Sequence, residues 1–220
     1  RVADAALAAG RHLVTANKAL IAHHGLELAG AAERASVHLG FEAAVAGGIP
    51  IIKSIKEGLA GNRCSRVYGI LNGTCNFILT AMREGGREFQ EVLAEAQVLG
   101  YAEADPTFDV DGIDTAHKLA ILATVAFGCR PDLGAVHVEG IRHISPVDIA
   151  FAEELGYRIK LLGIAALTEH GVERRVHPCM VPAGAPIAHV NGVFNAVVVH
   201  GDFVDSLVQV GRGAGEQPTA

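Results

Sequence analysis

Tryptophan is absent from this chain of 220 residues, and aromatic side chains make up only 5 % of it. Half of the residues are nonetheless apolar, so Ala, Val, Leu, Ile and Gly must build the core, as in many α/β proteins. Cysteine is scarce: Cys64, Cys75, Cys129 and Cys179 lie apart without C-x-x-C spacing. This excludes a zinc knuckle and a disulfide framework and leaves reduced, mostly buried thiols. The eleven histidines form no H-E-x-x-H or similar cluster, and His23-His24 reads as solvated helix surface rather than a metal site. A formal charge of −6 without a basic patch argues against nucleic acid as a partner. No apolar run approaches membrane-spanning length and no basic-then-apolar leader opens the chain, so a cytoplasmic protein without membrane contact is expected. What is present is enough apolar material to bury a substantial core, as one large domain or two small ones.

The most informative stretch is Ala96 to Lys118, AQVLGYAEADPTFDVDGIDTAHK. It holds Glu103, Asp105, Asp109, Asp111 and Asp114 and closes on a lysine. Carboxylates this dense repel one another unless they are solvated or gathered around cations or a polar substrate. Pro106 and Gly112 suggest a shaped loop. Asp114 and Lys118 then stand one helical turn apart, at the head of the apolar stripe Leu119, Leu122, Ala123 and Ala126. Three readings compete. An Asp followed four residues later by Lys is often only a surface ion pair. The D-V-D-G segment suggests an EF-hand, but that register places Thr107 at the first ligand position and Lys118 at the twelfth, where a bidentate Glu is needed. The third reading, a catalytic site for an amino-acid-like substrate, uses all of the charges.

The pattern A-x-x-x-G-Y-A-x-x-D-P-x-x-D-V-x-G-x-D-x-x-x-K resembles the signature of the homoserine dehydrogenase family. Four more stretches, VTANKALIA, FEAAVAGGIPII, GILNGTCNFILT and GRGAGEQPTA, resemble the same family in the same order, so the likeness covers nearly the whole chain. It implies an α/β fold: a partial Rossmann-type nucleotide-binding domain over residues 1–46, a mixed α+β substrate-binding and dimerisation domain over 47–204, and a return segment to the cofactor cleft over 205–220. It also implies NAD- or NADP-dependent interconversion of L-homoserine and L-aspartate 4-semialdehyde by a homodimer or homotetramer. Family members carry a G-x-G-x-x-G half where this sequence starts at Arg1, and often a regulatory domain beyond Ala220. The chain is therefore expected to be a piece of a longer protein, inactive alone. A non-catalytic substrate-binding and dimerisation module, or a fragment of a bifunctional aspartokinase–homoserine dehydrogenase, is the alternative.

Residues can be assigned along the chain on this basis. Val2 to Ala9 reads as the tail of a helix ended by Gly10, HLVTAN as a short buried strand, Asn17 as the cap of a helical run through Lys18 to Ile21, and about Ala22 to Arg34 as a helix. Lys18 in its first turn needs solvent or an anionic partner, since the helix dipole disfavours a cation there; the resemblance makes it a cofactor and substrate contact. Ser36 to Phe41 reads as a strand. Glu42 is either a cap at a domain crossover or, by resemblance, a ligand of a monovalent cation (Na+ or K+) together with the carbonyls of Val45, Gly47 and Ile49. After a short helix, Ile51 to Gly58, and a strand, Arg66 to Leu71, the Asn72-Gly73-Thr74 turn is either a plain N-cap or a carboxylate cradle. The family likeness assigns Gly73 and Thr74 to the substrate. Helices are expected at Cys75 to Arg83, Glu88 to Leu99, Ile113 to Phe127 and from Ser145 to Leu155. Arg158 to Ala166 and Val172 to Val181 read as one strand pair, Val193 to Val199 and Phe203 to Val210 as another. Gly211 to Gly215 is a glycine-rich turn; by resemblance Gly215 touches the cofactor. Lys118 is the expected proton donor, Asp114 its orienting partner and Lys18 a second cation near the reacting oxygen. Glu103 and Asp109 suit a substrate ammonium, Tyr101 shapes the pocket, and Gly73 and Thr74 suit the carboxylate.

Overall fold

The computed structural model describes residues 2–219; Arg1 and Ala220, which bound the stretches read above, lie outside the described residues. Helix α1 (Val2–Ala8) ends at Gly10, whose φ of +67° only glycine adopts without strain. Strands β1 (Leu13–Val14) and β2 (Leu39–Gly40) pair in parallel and are joined by α2 (Lys18–Arg34). The Asn17 side chain caps α2 by accepting from Leu20 N at 2.9 Å, and the helix runs unbroken from Lys18. Both strands are shorter than their sequence suggests, and β1 is not the buried strand expected, since Val14 is 79 % exposed. For β2 the cause is local: Ser36 has a φ of +54°, which turns the chain out of extended geometry.

The larger part is a mixed sheet of six strands: β3 (Cys64–Ile70), β4 (His137–Val138), β5 (Tyr157–Thr168), β6 (Gly171–Pro182), β7 (Phe194–Gly201) and β8 (Asp205–Arg212), in the order β4-β6-β5-β3-β7-β8. Only the β4–β6 pair is parallel. Two hairpins dominate, β5–β6 in register from Tyr157 opposite Pro182 to Thr168 opposite Gly171, and β7–β8 from Phe194 opposite Arg212 to Gly201 opposite Asp205. Around the sheet lie α3 (Ile51–Lys53), which continues as a π-helical turn over Ser54–Gly58, then α4 (Gly73–Gly85), α5 (Phe89–Val98), α6 (Thr107–Val110), α7 (Ile113–Phe127), α8 (Pro146–Glu154) and α9 (Glu216–Thr219). Helix α8 opens on a capping box in which Ser145 and Asp148 satisfy each other's backbone N–H groups.

Helix α7 ties the two parts together. It packs on α2 from one side and on β3, β5 and β6 from the other. Leu119 and Leu122 are completely buried, and each such side chain contributes about 1.5–3 kcal/mol of transfer free energy. Gly112, at φ +85°, and Gly128, at φ +64°, stop the helix at either end. One continuous apolar cluster therefore runs from Leu7 and Ile21 through Ile78 and Leu119 to Val197. A smaller cluster, including Ile70, Leu162 and Val198, lies apart and is closed by Ile187 of a short 3-10 turn. Among the described residues no helix is long and apolar enough to cross a membrane.

The candidate active-site cleft

With α7 fixed against both parts, its first turns meet the start of α2 and the start of α4. Asp114, 3 % exposed, and Lys118, 8 % exposed, project from the same face of α7. Lys118 Nζ donates to Asp114 Oδ2 at 2.7 Å and to the Leu71 carbonyl at 2.8 Å. Lys18 Nζ reaches Asp114 Oδ1 at 3.0 Å from α2. The anionic partner that a lysine in a first helical turn requires is thus supplied across the junction. Lys18 also sits 5.6 Å from the Phe108 ring centroid, and Phe108 stacks edge-on with His117 at 5.4 Å.

Asn72, 5 % exposed, is the hub of the opposite wall. Its Oδ1 accepts from Cys75 N at 2.8 Å and so caps α4, while its Nδ2 donates to Asp109 Oδ1 at 2.8 Å and Asp114 Oδ2 at 2.9 Å. One amide therefore holds two carboxylates in register. Their environments separate them. Burial drives the carboxyl of Asp114 up, but Lys118 and Lys18 together with the hydrogen bonds outweigh it, and the group is held below the usual carboxylate range. At Asp109 burial dominates, opposed by the Asn72 hydrogen bond and reinforced by the Asp114 charge, and the group is held above that range. Beneath them the Cys75 thiol, completely buried, donates to the Asp109 carbonyl oxygen at 3.2 Å. It is pushed well above its ordinary range by burial and by the charge of Asp109.

Lys18, Asn72, Asp109, Asp114 and Lys118 line a cleft of about 490 Å³. Of the residues expected from the sequence, Lys18, Asp114 and Lys118 stand on one wall, Gly73, Thr74 and Asp109 on another, and Tyr101, Glu103 and Gly215 at its edges. Glu103 is exposed. Thr74 donates its hydroxyl to the Tyr101 carbonyl at 2.6 Å, which closes the turn over the start of α4. The N–H groups of Gly73 and Thr74 lie in the first turn of α4, where a helix has no internal acceptors and favours an anion. Glycine is required there, because a Cβ on residue 73 would fall 2.7 Å from the Val193 carbonyl oxygen.

The cluster of five acids divides. Asp105 accepts from Thr107 N at 3.0 Å and starts α6, and Asp111 pairs with Arg142. Only Glu103, Asp109 and Asp114 reach the cleft. A turn of helix occupies Thr107 to Val110, where the loop reading had none. Glu42 lies outside the cleft lining, with Oε1 accepting from Ile52 N at 2.7 Å and Oε2 from Lys53 N at 2.9 Å. That is the capping arrangement weighed above. Val45 and Ile49 are buried beside it, and Gly48 N donates to the Arg212 carbonyl at 3.0 Å, which binds this turn to the end of β8.

Several contributors were not assigned from sequence. Asn72 was visible only as a cap. Asn195 and Arg212 also line the cleft. Lys160, 2 % exposed on β5, donates to Asn76 Oδ1 at 3.0 Å, the Val190 carbonyl at 2.6 Å and Asn191 Oδ1 at 3.3 Å. It fastens Val190 and Asn191 to α4 through Asn76, and burial, with the nearby charges of Arg83 and Arg158, lowers it to about 7. Its side chain reads as an ordinary strand lysine until the fold supplies three acceptors.

A parallel α/β unit facing a mixed sheet across a cleft of amines and carboxylates defines a two-part α/β protein with a cluster of charged groups at its junction. Comparison with known proteins narrows that class. The family model described as homoserine dehydrogenase matches residues 50–220. Homoserine dehydrogenase of Pseudomonas aeruginosa is 59 % identical over 211 residues, covering 96 % of this chain and 49 % of the relative. A homoserine dehydrogenase structure from Thiobacillus denitrificans matches with a TM-score of 0.97 at 54 % identity, covering 99 % of this chain and 51 % of the other. A hyperthermophilic archaeal homoserine dehydrogenase in complex with NADPH matches with a TM-score of 0.86 at 30 % identity, covering 99 % and 63 %. The chain belongs to the homoserine dehydrogenase family. It spans about half the length of the curated relatives it matches.

Proposed function

We propose that this chain carries the substrate-binding and proton-transfer centre of an NAD- or NADP-dependent homoserine dehydrogenase, which interconverts L-homoserine and L-aspartate 4-semialdehyde in threonine and methionine synthesis from aspartate. Residues 1–46 would complete a nucleotide-binding domain, 47–204 form the substrate and dimerisation domain, and 205–220 return to the cofactor cleft. The single observation that carries the reading is the buried Asp114–Lys118 pair opening onto a cleft that Lys18 also lines.

The residues present fit the nicotinamide end of a dinucleotide: Lys18 offers an N–H donor for its carboxamide oxygen, and Ala214 and Gly215 bring backbone without bulk to the same cleft. When bound, the nicotinamide supplies or accepts the hydride. The chain does the rest. Asp114 holds the Lys118 ammonium toward the cleft, and Lys118 donates its proton to the alkoxide oxygen as it forms; in the oxidative direction the neutral amine takes that proton back. Lys18, 33 % exposed, stabilises the same developing charge. Glu103 and Asp109 accept from the substrate ammonium, and the first turn of α4 at Gly73 and Thr74 receives its carboxylate. Tyr101 closes the rim.

A monovalent cation beside Glu42 belongs to the same reading. The donors are all oxygen, as a hard cation needs. Among the described residues neither the Val45 nor the Gly47 carbonyl receives a hydrogen bond, whereas that of Ile49 accepts from Ile51 N at 2.7 Å. The enzyme is proposed to work in the cytoplasm as a homodimer or homotetramer.

The test is Lys118→Ala in the full-length protein. Loss of a general acid is expected to lower kcat by about 10²–10⁴-fold, with KM for homoserine changing by far less. Turnover near that of the unaltered enzyme would refute the assignment.

A further inference from the structure

Asn195 stands near the start of β7, opposite Gly211 of β8, and is 1 % exposed. Its Nδ2 donates to the Leu71 carbonyl at 3.0 Å, the same oxygen that receives Lys118 Nζ at 2.8 Å. This fixes the amide's orientation, since the flipped form would set two acceptors against each other. Oδ1 is then left without a partner although it is fully buried, and leaving such an acceptor unmatched is costly. The close approach of residue 213 holds the amide in place, for a Cβ there would overlap the Asn195 side chain. Asn195 nevertheless lines the cleft that contains Lys118 and Asp114. An immobilised, orphaned acceptor thus stands one shared carbonyl away from the amine that serves the reacting oxygen.

We propose that Asn195 Oδ1 accepts the hydroxyl hydrogen of the alcohol substrate and thereby holds the reacting oxygen beside Lys118 Nζ. This rests on the dehydrogenase reading above and deepens it, by assigning a group that recognises the alcohol form. The aldehyde oxygen carries no hydrogen, so this contact exists only with the alcohol. The substrate ammonium is a weaker candidate, because Glu103 and Asp109 provide charged acceptors for it elsewhere in the cleft.

The contact can be isolated by binding alone. In the full-length enzyme saturated with NADPH, homoserine forms a complex that cannot turn over, and 2-aminobutyrate is the same molecule without the hydroxyl. Asn195→Ala is expected to weaken homoserine by about fivefold, the size of one neutral hydrogen bond, measured by calorimetry, and to leave 2-aminobutyrate within about twofold. Asn195→Leu, with the same branching and without polar atoms, should do the same and serves if the alanine variant does not fold. Equal weakening of both ligands would overturn the proposal, since it means a structural effect or an ammonium contact. Unchanged binding of both would overturn it too, since the acceptor would then make no contact with the hydroxyl. If the unaltered enzyme binds neither ligand, the dehydrogenase reading itself falls and this inference with it; if it binds them but the variants fail the comparison, only the inference falls.

Discussion

The charge of Asp114 is shared by two lysines, Lys18 and Lys118, at the junction of three helices. Asp114→Asn keeps the shape and one acceptor but removes the negative charge beside Lys118, 8 % exposed, whose other contact is the neutral Leu71 carbonyl. Removing one partner of a buried ion pair costs about 3–5 kcal/mol, because the remaining charge is stranded. Against a total stability of about 5–15 kcal/mol, such a loss is large. Lys18 adds little to it, since its side chain is 33 % exposed and can turn to water. Replacing both members, Asp114→Asn with Lys118→Met, removes the stranded charge, so the double variant should cost less than the two single variants together, with a coupling of about 1–3 kcal/mol. Urea unfolding of the full-length protein at pH 7 measures all three. The pH dependence supplies a second reading. Asp114 is held below its ordinary range, so its contribution is present above the unfolded pKa of about 3.9 and is lost as pH falls through the folded value. The penalty of Asp114→Asn should shrink in acid accordingly. Single costs that simply add, within about 0.5 kcal/mol, would refute the account of a buried, mutually dependent pair.

Asp109 should behave in the opposite sense. Its folded-state pKa is raised, so its contribution is present below the unfolded value and is lost as pH rises through the folded one; at neutral pH the ionised group is a net burden on the fold. Asp109→Asn is expected to raise the urea midpoint at pH 7, with the gain fading below about pH 4, while homoserine affinity falls. A midpoint that drops at pH 7 contradicts this. Glu103→Asp retracts the carboxylate from the cleft edge by one methylene and is expected to raise KM for homoserine with little change in kcat. An unaltered KM removes Glu103 from the ammonium site.

Much of this was legible beforehand where local chemistry decides. The bounds of α7 follow from Gly112 and Gly128, the starts of α2 and α4 from Asn17 and Asn72, and the hairpins from runs of alternating or β-branched residues between polar turns. The family likeness brought together residues as distant as Lys18 and Lys118, which no spacing argument links. What stayed hidden depends on partners far along the chain. Strand β4 exists only because β6 offers an edge to His137 and Val138. The short α6 forms where the Asp105 carboxylate accepts from the N–H of its first residue, Thr107, and Asp111 past its end is drawn to Arg142 rather than to the cleft. Asn195 acquires its meaning from Leu71 and Gly213, and Lys160 from Val190 and Asn191.

The thiol of Cys75 offers a practical use. Sealed under the Asp109 carbonyl and kept protonated by its surroundings, it is blind to alkylating reagents until the first turn of α4 parts from α6. The pace of its labelling would therefore count the breathing of the cleft floor, and any molecule that clamps those two segments together would register as a slower clock, with no need to observe turnover.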